Sequence, residues 1–157
     1  MNNCIFCNID KWRIIYEDDF FYSIFDGNPV SPGHSLIISK RHAISILDLN
    51  KEEWSQLKDA LNKVIQIIEQ TNKQKTYELM IPKNITRNSS TYCEKMLQHK
   101  NLNQKPDGYN IGVNDGEAAG RTINHFHLQI IPRYFEDTPN PTGGISHIIP
   151  GMGNYKE

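Results

Sequence analysis

The hydrophobic positions of this chain change period along its first 70 residues. Ile14-Ile15-Tyr16-Glu17 and the run from Phe20 to Phe25 are rich in β-branched and aromatic residues. Glu17-Asp18-Asp19 separates them, which predicts a hairpin. Asp26-Gly27-Asn28-Pro29 breaks the second strand, and Ser31-Pro32-Gly33 turns the chain again. From Gly33 to His42 the pattern predicts a short apolar strand, central to a sheet, with His34 and His42 at its two ends. The period then becomes helical. Asn50 with Glu53 makes a capping-box-like start, and Trp54, Leu57, Leu61, Val64, Ile65 and Ile68 recur on one face, predicting a single amphipathic helix over 51–70 packed on the sheet. Its stripe reads as core, with no cofactor or partner surface.

Beyond the helix the pattern weakens. Residues 71–106 are polar and rich in Asn, Gln and Lys, with a short helix predicted near Thr91–His99. The stretch is too long for an ordinary connection, so it is a lid or a solvated insertion; insertion is the preferred reading, with His99 exposed. Strand character resumes at Gly108-Tyr109-Asn110-Ile111-Gly112-Val113-Asn114. A small-residue loop follows and runs into Asn124-His125-Phe126-His127-Leu128-Gln129-Ile130-Ile131-Pro132. In a strand, alternation sends His125, His127 and Gln129 to one face and Phe126, Leu128 and Ile130 to the other, at about 7 Å per pair of residues.

Bulk properties narrow the chemistry. At 157 residues and 38% apolar content the chain suits one domain with a real core. We expect a single domain over 1–157, with the insertion at about 72–106 and a tail from about 136. A net charge of -1, with acids and bases interspersed, provides no basic field for a nucleic-acid polymer. Any bound nucleotide is expected to be small. No segment approaches the roughly 20 apolar residues of a membrane span, so a cytoplasmic location without membrane contact is expected. Three cysteines are an odd number. Cys93 reads as an ordinary thiol, whereas Cys4 and Cys7, separated by two residues in a reducing compartment, suggest metal or redox use.

Several positions admit two readings. Cys4-x-x-Cys7 is a redox pair or half of a zinc site, and the absence of a preceding strand favours zinc. His34 and His42 are partly exposed imidazoles or functional groups; His42 has the stronger claim because a Cys-x-x-Cys lacks two ligands. Asp26 is a turn former or a ligand for sugar hydroxyls. The Asp115–Thr122 loop is a plain connection or an anion cradle, with backbone N–H groups turned inward beside Arg121 and Thr122.

Taken together, Cys4-x-x-Cys7, Gly33-His34 through His42, Asn114 through Thr122 and His125 through Pro132 resemble the histidine triad (HIT) superfamily of nucleotide hydrolases and transferases. The match runs from residue 4 to about 70 and from 107 to 135, leaving the insertion outside it. The resemblance implies an α+β fold of the HIT-like type, an antiparallel sheet packed with one long helix and paired into a homodimer. It implies a structural zinc held by Cys4, Cys7, His42 and His125. It implies that His127 attacks the α-phosphorus of a nucleotide, that Gln129 donates to a non-bridging oxygen, and that Gly120, Arg121 and Thr122 stabilise the developing charge. Asn114 and His34 line the site in this reading, and Asp26 accepts from the ribose. Gln129 departs from the third histidine of most hydrolases in the family. It resembles the branch containing galactose-1-phosphate uridylyltransferase and the diadenosine polyphosphate phosphorylases. Arg121 and Asn124 differ from the commoner choices as well. The implied function is hydrolysis of a dinucleoside polyphosphate, with a phosphorylase or nucleotidyltransferase as the alternative. A third alternative is a zinc-stabilised nucleotide-binding protein with little turnover.

Overall fold

The structure is a computed structural model and describes residues 4–83 and 86–153. Five strands form one antiparallel sheet: β1 (Ile14–Glu17), β2 (Phe21–Phe25), β3 (Ser35–Ser39), β4 (Gly108–Gly112) and β5 (His127–Arg133), in the order β1-β2-β3-β5-β4. Helix α1 (Lys51–Gln70) packs on it, so the architecture is the expected α+β arrangement. Alternation divides the sheet into two unlike faces. Phe21, Phe25, Ile37, Leu128 and Ile130 join the core under the helices. Tyr22, Ile24, Leu36 and Ile38 form a smaller apolar cluster with Phe6 on the other side. His127 pairs with Ile38 and Gln129 with Leu36, so both polar side chains stand on this second face.

The start of α1 follows its sequence closely. The Asn50 side chain accepts the Glu53 N–H at 2.9 Å, and the Glu53 carboxylate accepts the Asn50 N–H at 2.8 Å, closing the capping box. The buried stripe is Glu53, Leu57, Ala60, Val64 and Ile68. Trp54, expected in it, is 57% exposed because it stands one residue, about 100°, beyond that stripe.

Residues 72–106 depart from the expected solvated insertion. Helices α2 (Lys73–Met80) and α3 (Arg87–Leu97) bury Tyr77, Met80, Cys93 and Met96 in the same core as α1. Tyr77 also fixes the turn before β3, where its hydroxyl accepts the Gly33 N–H at 2.7 Å. Gly33 has φ +91°, and a Cβ there would lie 2.9 Å from Ile68 Cγ2, so this turn requires glycine. His99 is half-buried rather than exposed, with its ring 6.4 Å from that of Tyr134. Among the described residues no helix is long and apolar enough to cross a membrane.

The strand expected from Asn124 begins at His127 instead. His125 lies in a bend, with its N–H on the Ile123 carbonyl at 2.8 Å, and the Phe126 N–H bonds to the Ala43 carbonyl at 2.6 Å. The Ser39 N–H still reaches the Phe126 carbonyl at 3.4 Å, but β3 ends there, so the ladder has no strand partner for His125.

Candidate active site and metal centre

Two groups of side chains meet at the end of the second face. The first is Cys4, Cys7, His42 and His125, whose ligating atoms all lie within 4.8 Å of one another. His125 Nδ1 is 3.3 Å from Cys4 Sγ and 3.5 Å from Cys7 Sγ, and His42 Nδ1 is 3.2 Å from Cys7 Sγ. The Cys7 N–H closes the turn on the Cys4 carbonyl at 3.2 Å, which holds the two sulfurs side by side. His125 is fully buried, and its Nε2 lies 2.7 Å from the Ser39 carbonyl. A carbonyl only accepts, so the proton sits on Nε2 and the Nδ1 lone pair faces the sulfurs. Burial lowers the His125 pKa, which favours the neutral form that a metal needs. Two thiols and two imidazoles at these separations suit a tetrahedral cation whose ligand-to-ligand edges are about 3.5 Å.

The second group begins with His127. Its Nδ1 lies 2.8 Å from the His125 carbonyl, which places the proton there and leaves Nε2 unprotonated. His127 lines a cavity of about 620 Å³ together with Gln129, Asp26, Asn114, Gly120 and Thr122. Phe6 couples the two groups physically, packing edge-on against His125 at 5.9 Å and against His127 at 5.3 Å. The Tyr22 hydroxyl donates to the Phe6 carbonyl and holds that ring in place.

Two expected residues stand elsewhere. His34 is 2% exposed and lies behind Asp26, with Nε2 3.6 Å from Asp26 Oδ2. Its Nδ1 accepts the Val30 N–H at 3.3 Å, so the proton of the neutral ring is directed at Asp26. Burial lowers the His34 pKa, and Asp26 and Gln129 oppose that effect. His34 therefore supports the cavity wall from behind. Arg121 is held by Asp115, with Nη1 3.2 Å from Oδ1, and by the Ile44 carbonyl at 3.4 Å, away from the cavity lining. Three of the loop amides bond within the loop instead of facing the expected cradle. The N–H groups of Ala119, Gly120 and Arg121 donate to the carbonyls of Gly116, Glu117 and Gly116, at 3.1, 2.9 and 3.1 Å. These three donors stay within the loop, which together with Asn114 lines the cavity through Gly120 and Thr122.

Sequence reasoning missed two parts of this cavity. Its apolar floor, Ile24 and Leu36, shares a cross-strand row with Gln129. Alternation along β2 and β3 carries that signal. Its far wall comes from Lys83, just after α2, and from Asn88 and Ser89 in the first turn of α3. No local pattern in that polar stretch announces it.

Fold and site together are those of an α+β domain with a Cys/His cluster beside a histidine-lined cavity, and comparison with known proteins places it: the chain belongs to the HIT family, its residues 9–136 matching the HIT domain. Among its relatives, the adenylylsulfatase HINT3 of Arabidopsis thaliana is 32% identical over 143 residues, which cover 87% of this chain and 55% of that protein. The bis(5'-adenosyl)-triphosphatase of Dictyostelium discoideum is 26% identical over 132 residues, covering 84% of this chain and 67% of that one. Among solved structures, a zinc-bound histidine triad family protein from Mycobacterium smegmatis superposes with a TM-score of 0.55 at 28% identity, covering 88% of this chain and 81% of that one.

Proposed function

We propose that this protein hydrolyses a nucleoside polyphosphate of the diadenosine polyphosphate kind at its α-phosphorus, through a covalent nucleotidyl-histidine on His127. The observation that carries the reading is the His127 Nδ1 contact with the His125 carbonyl, which leaves Nε2 as a neutral nucleophile in the cavity. Nε2 bonds to phosphorus as the bond to the departing polyphosphate breaks; water then attacks the same phosphorus and the P–N bond breaks. Gln129 donates its amide to a non-bridging oxygen, and Asn114 and Thr122 approach the charge from the loop. Asp26 accepts from the ribose hydroxyls. The relatives that act on adenylyl groups support this substrate class.

Cys4, Cys7, His42 and His125 would hold a structural zinc. Four protein ligands leave no position for substrate, so the metal would fix the N-terminal turn against β5 and supply no electrophile. The zinc-bound neighbour supports the assignment. The same reading includes a homodimer in the cytoplasm.

Gln129 favours a second reading, in which phosphate or a sugar phosphate replaces water in the second step. Product analysis with diadenosine tetraphosphate, with and without added phosphate, separates the two. Hydrolysis gives AMP and ATP under both conditions; ADP and ATP appearing only with phosphate would establish phosphorolysis. Tight binding without either product would leave a zinc-stabilised nucleotide-binding protein.

A further inference from the structure

The cavity has a wall that neither the proposed nucleophile nor the metal cluster uses. Lys83 and Thr86, between α2 and α3, and Asn88 and Ser89, in the first turn of α3, reach it. This wall is fastened to the turn that carries Asp26. Ser89 Oγ donates to Asn28 Oδ1 at 3.1 Å, and the Asn28 N–H donates to Asp26 Oδ1 at 2.8 Å. Thr86 Oγ1 lies 2.8 Å from Ser89 Oγ and accepts the Ser89 N–H at 3.1 Å, which sets the height of the helix start. A Cβ built on Gly27 would lie 3.7 Å from Ser89 Oγ and 3.6 Å from an Arg13 Nη atom, so the wall abuts the residue following Asp26. Lys83 Nζ stands 4.8 Å from the centre of the Trp12 ring, on the same side.

Sheet register orders these groups along the cavity. Gln129 pairs with Leu36 and Leu36 with Ile24, a row crossing three strands, and Asp26 follows β2 two residues beyond Ile24. At about 4.8 Å between strands, the row spans roughly 10 Å. A nucleoside phosphate has the same sequence of parts: a charged phosphorus, a ribose and a flat base. Ile24, Leu36 and Phe6 offer apolar surface to the faces of a ring, and beyond Asp26 stands a set of side chains that donate and accept.

We propose that this wall reads the edge of the nucleobase. The Asn88 carboxamide, a donor and an acceptor in one plane, discriminates between bases; Lys83 adds a donor, and Ser89 is the positioning residue that fixes the wall on Asn28. Residues 72–106 thereby confer base selectivity on a site whose phosphate end lies on β5. The inference rests on reading the site as one that binds a nucleoside phosphate.

Calorimetric titration of the full chain with AMP, GMP, CMP and UMP, and with ribose 5-phosphate, tests it. Asn88 and Lys83 are exposed, so their alanine variants keep the fold. The wild type is expected to favour one base by about tenfold, the size of one well-made hydrogen bond. Asn88→Ala and Lys83→Ala should bring the four affinities within about threefold of one another, leaving ribose 5-phosphate unchanged. Equal affinity of the wild type for all four nucleotides, or selectivity unaltered in both variants, would overturn the wall alone. A uniform loss in Lys83→Ala that includes ribose 5-phosphate would mean that the ammonium serves phosphate, which also overturns it. Binding of none of the probes by the wild type would overturn the wall and the underlying functional reading together.

Discussion

At the scale of single residues, the two ring nitrogens of each site histidine have separate tasks. His125 binds the Ser39 carbonyl through Nε2 and turns Nδ1 toward the sulfurs, whereas His127 binds the His125 carbonyl through Nδ1 and keeps Nε2 for the cavity. Two backbone carbonyls, those of Ser39 and His125, thus set the two tautomers. Cys7 is the exposed member of the cluster, so its loss disturbs packing least. Cys7→Ala is expected to lose the stoichiometric zinc of the freshly purified wild type and to cost at least about 2 kcal/mol of stability, read by metal analysis beside a thermal melt. A wild type purified without zinc would remove the four-ligand assignment. Alternation made His127 and Gln129 legible in the sequence, because both belong to a regular strand. It did not reveal that His125 sits in a bend, or that the Arg121 guanidinium turns to Asp115 and the Ile44 carbonyl, since those outcomes depend on contacts with Ala43, Ile44 and Asp115.

At the scale of elements, the corner between β3 and α1 places His42. Arg41 reaches Glu53 with Nε on Oε1 at 2.9 Å and Nη2 on Oε2 at 2.8 Å, and the carboxylate is buried while it also caps α1. Arg41, ahead of the capping amide, holds the Glu53 carboxyl below its usual range. A carboxyl whose pKa is lower in the folded chain stabilises it above the unfolded value of about 4.3, and that contribution fades as pH falls through the folded value. Glu53→Gln should therefore cost about 1–2 kcal/mol at neutral pH, a figure reduced because Arg41 is half exposed. In urea unfolding the gap between variant and wild type should close in acid below pH 4; a gap independent of pH would contradict this account of the corner. Helix α1 was readable from its cap and stripe. Helix α3 was legible in part, as the short helix expected near Thr91–His99; α2 was not, because it buries only Lys73, Tyr77 and Met80 in a background of Asn, Gln and Lys.

At the scale of the whole molecule, the sheet separates stability from chemistry. One face carries the core under the helices, and the other carries the Cys4, Cys7, His42 and His125 cluster, His127 and the cavity. Such a division lets a bend, a loop and a polar wall vary on the chemical face without opening the main core. The central claim is that His127 becomes covalently nucleotidylated. The direct measurement is intact-protein mass after brief mixing with diadenosine tetraphosphate and quenching in alkali, since a phosphorus–histidine bond is labile in acid. The wild type should gain the mass of one adenylyl group, mapping to His127, and folded His127→Ala should gain none and lose turnover by at least about 10³-fold. Turnover by the wild type without any adduct, or an adduct and activity that persist in His127→Ala, would contradict the account.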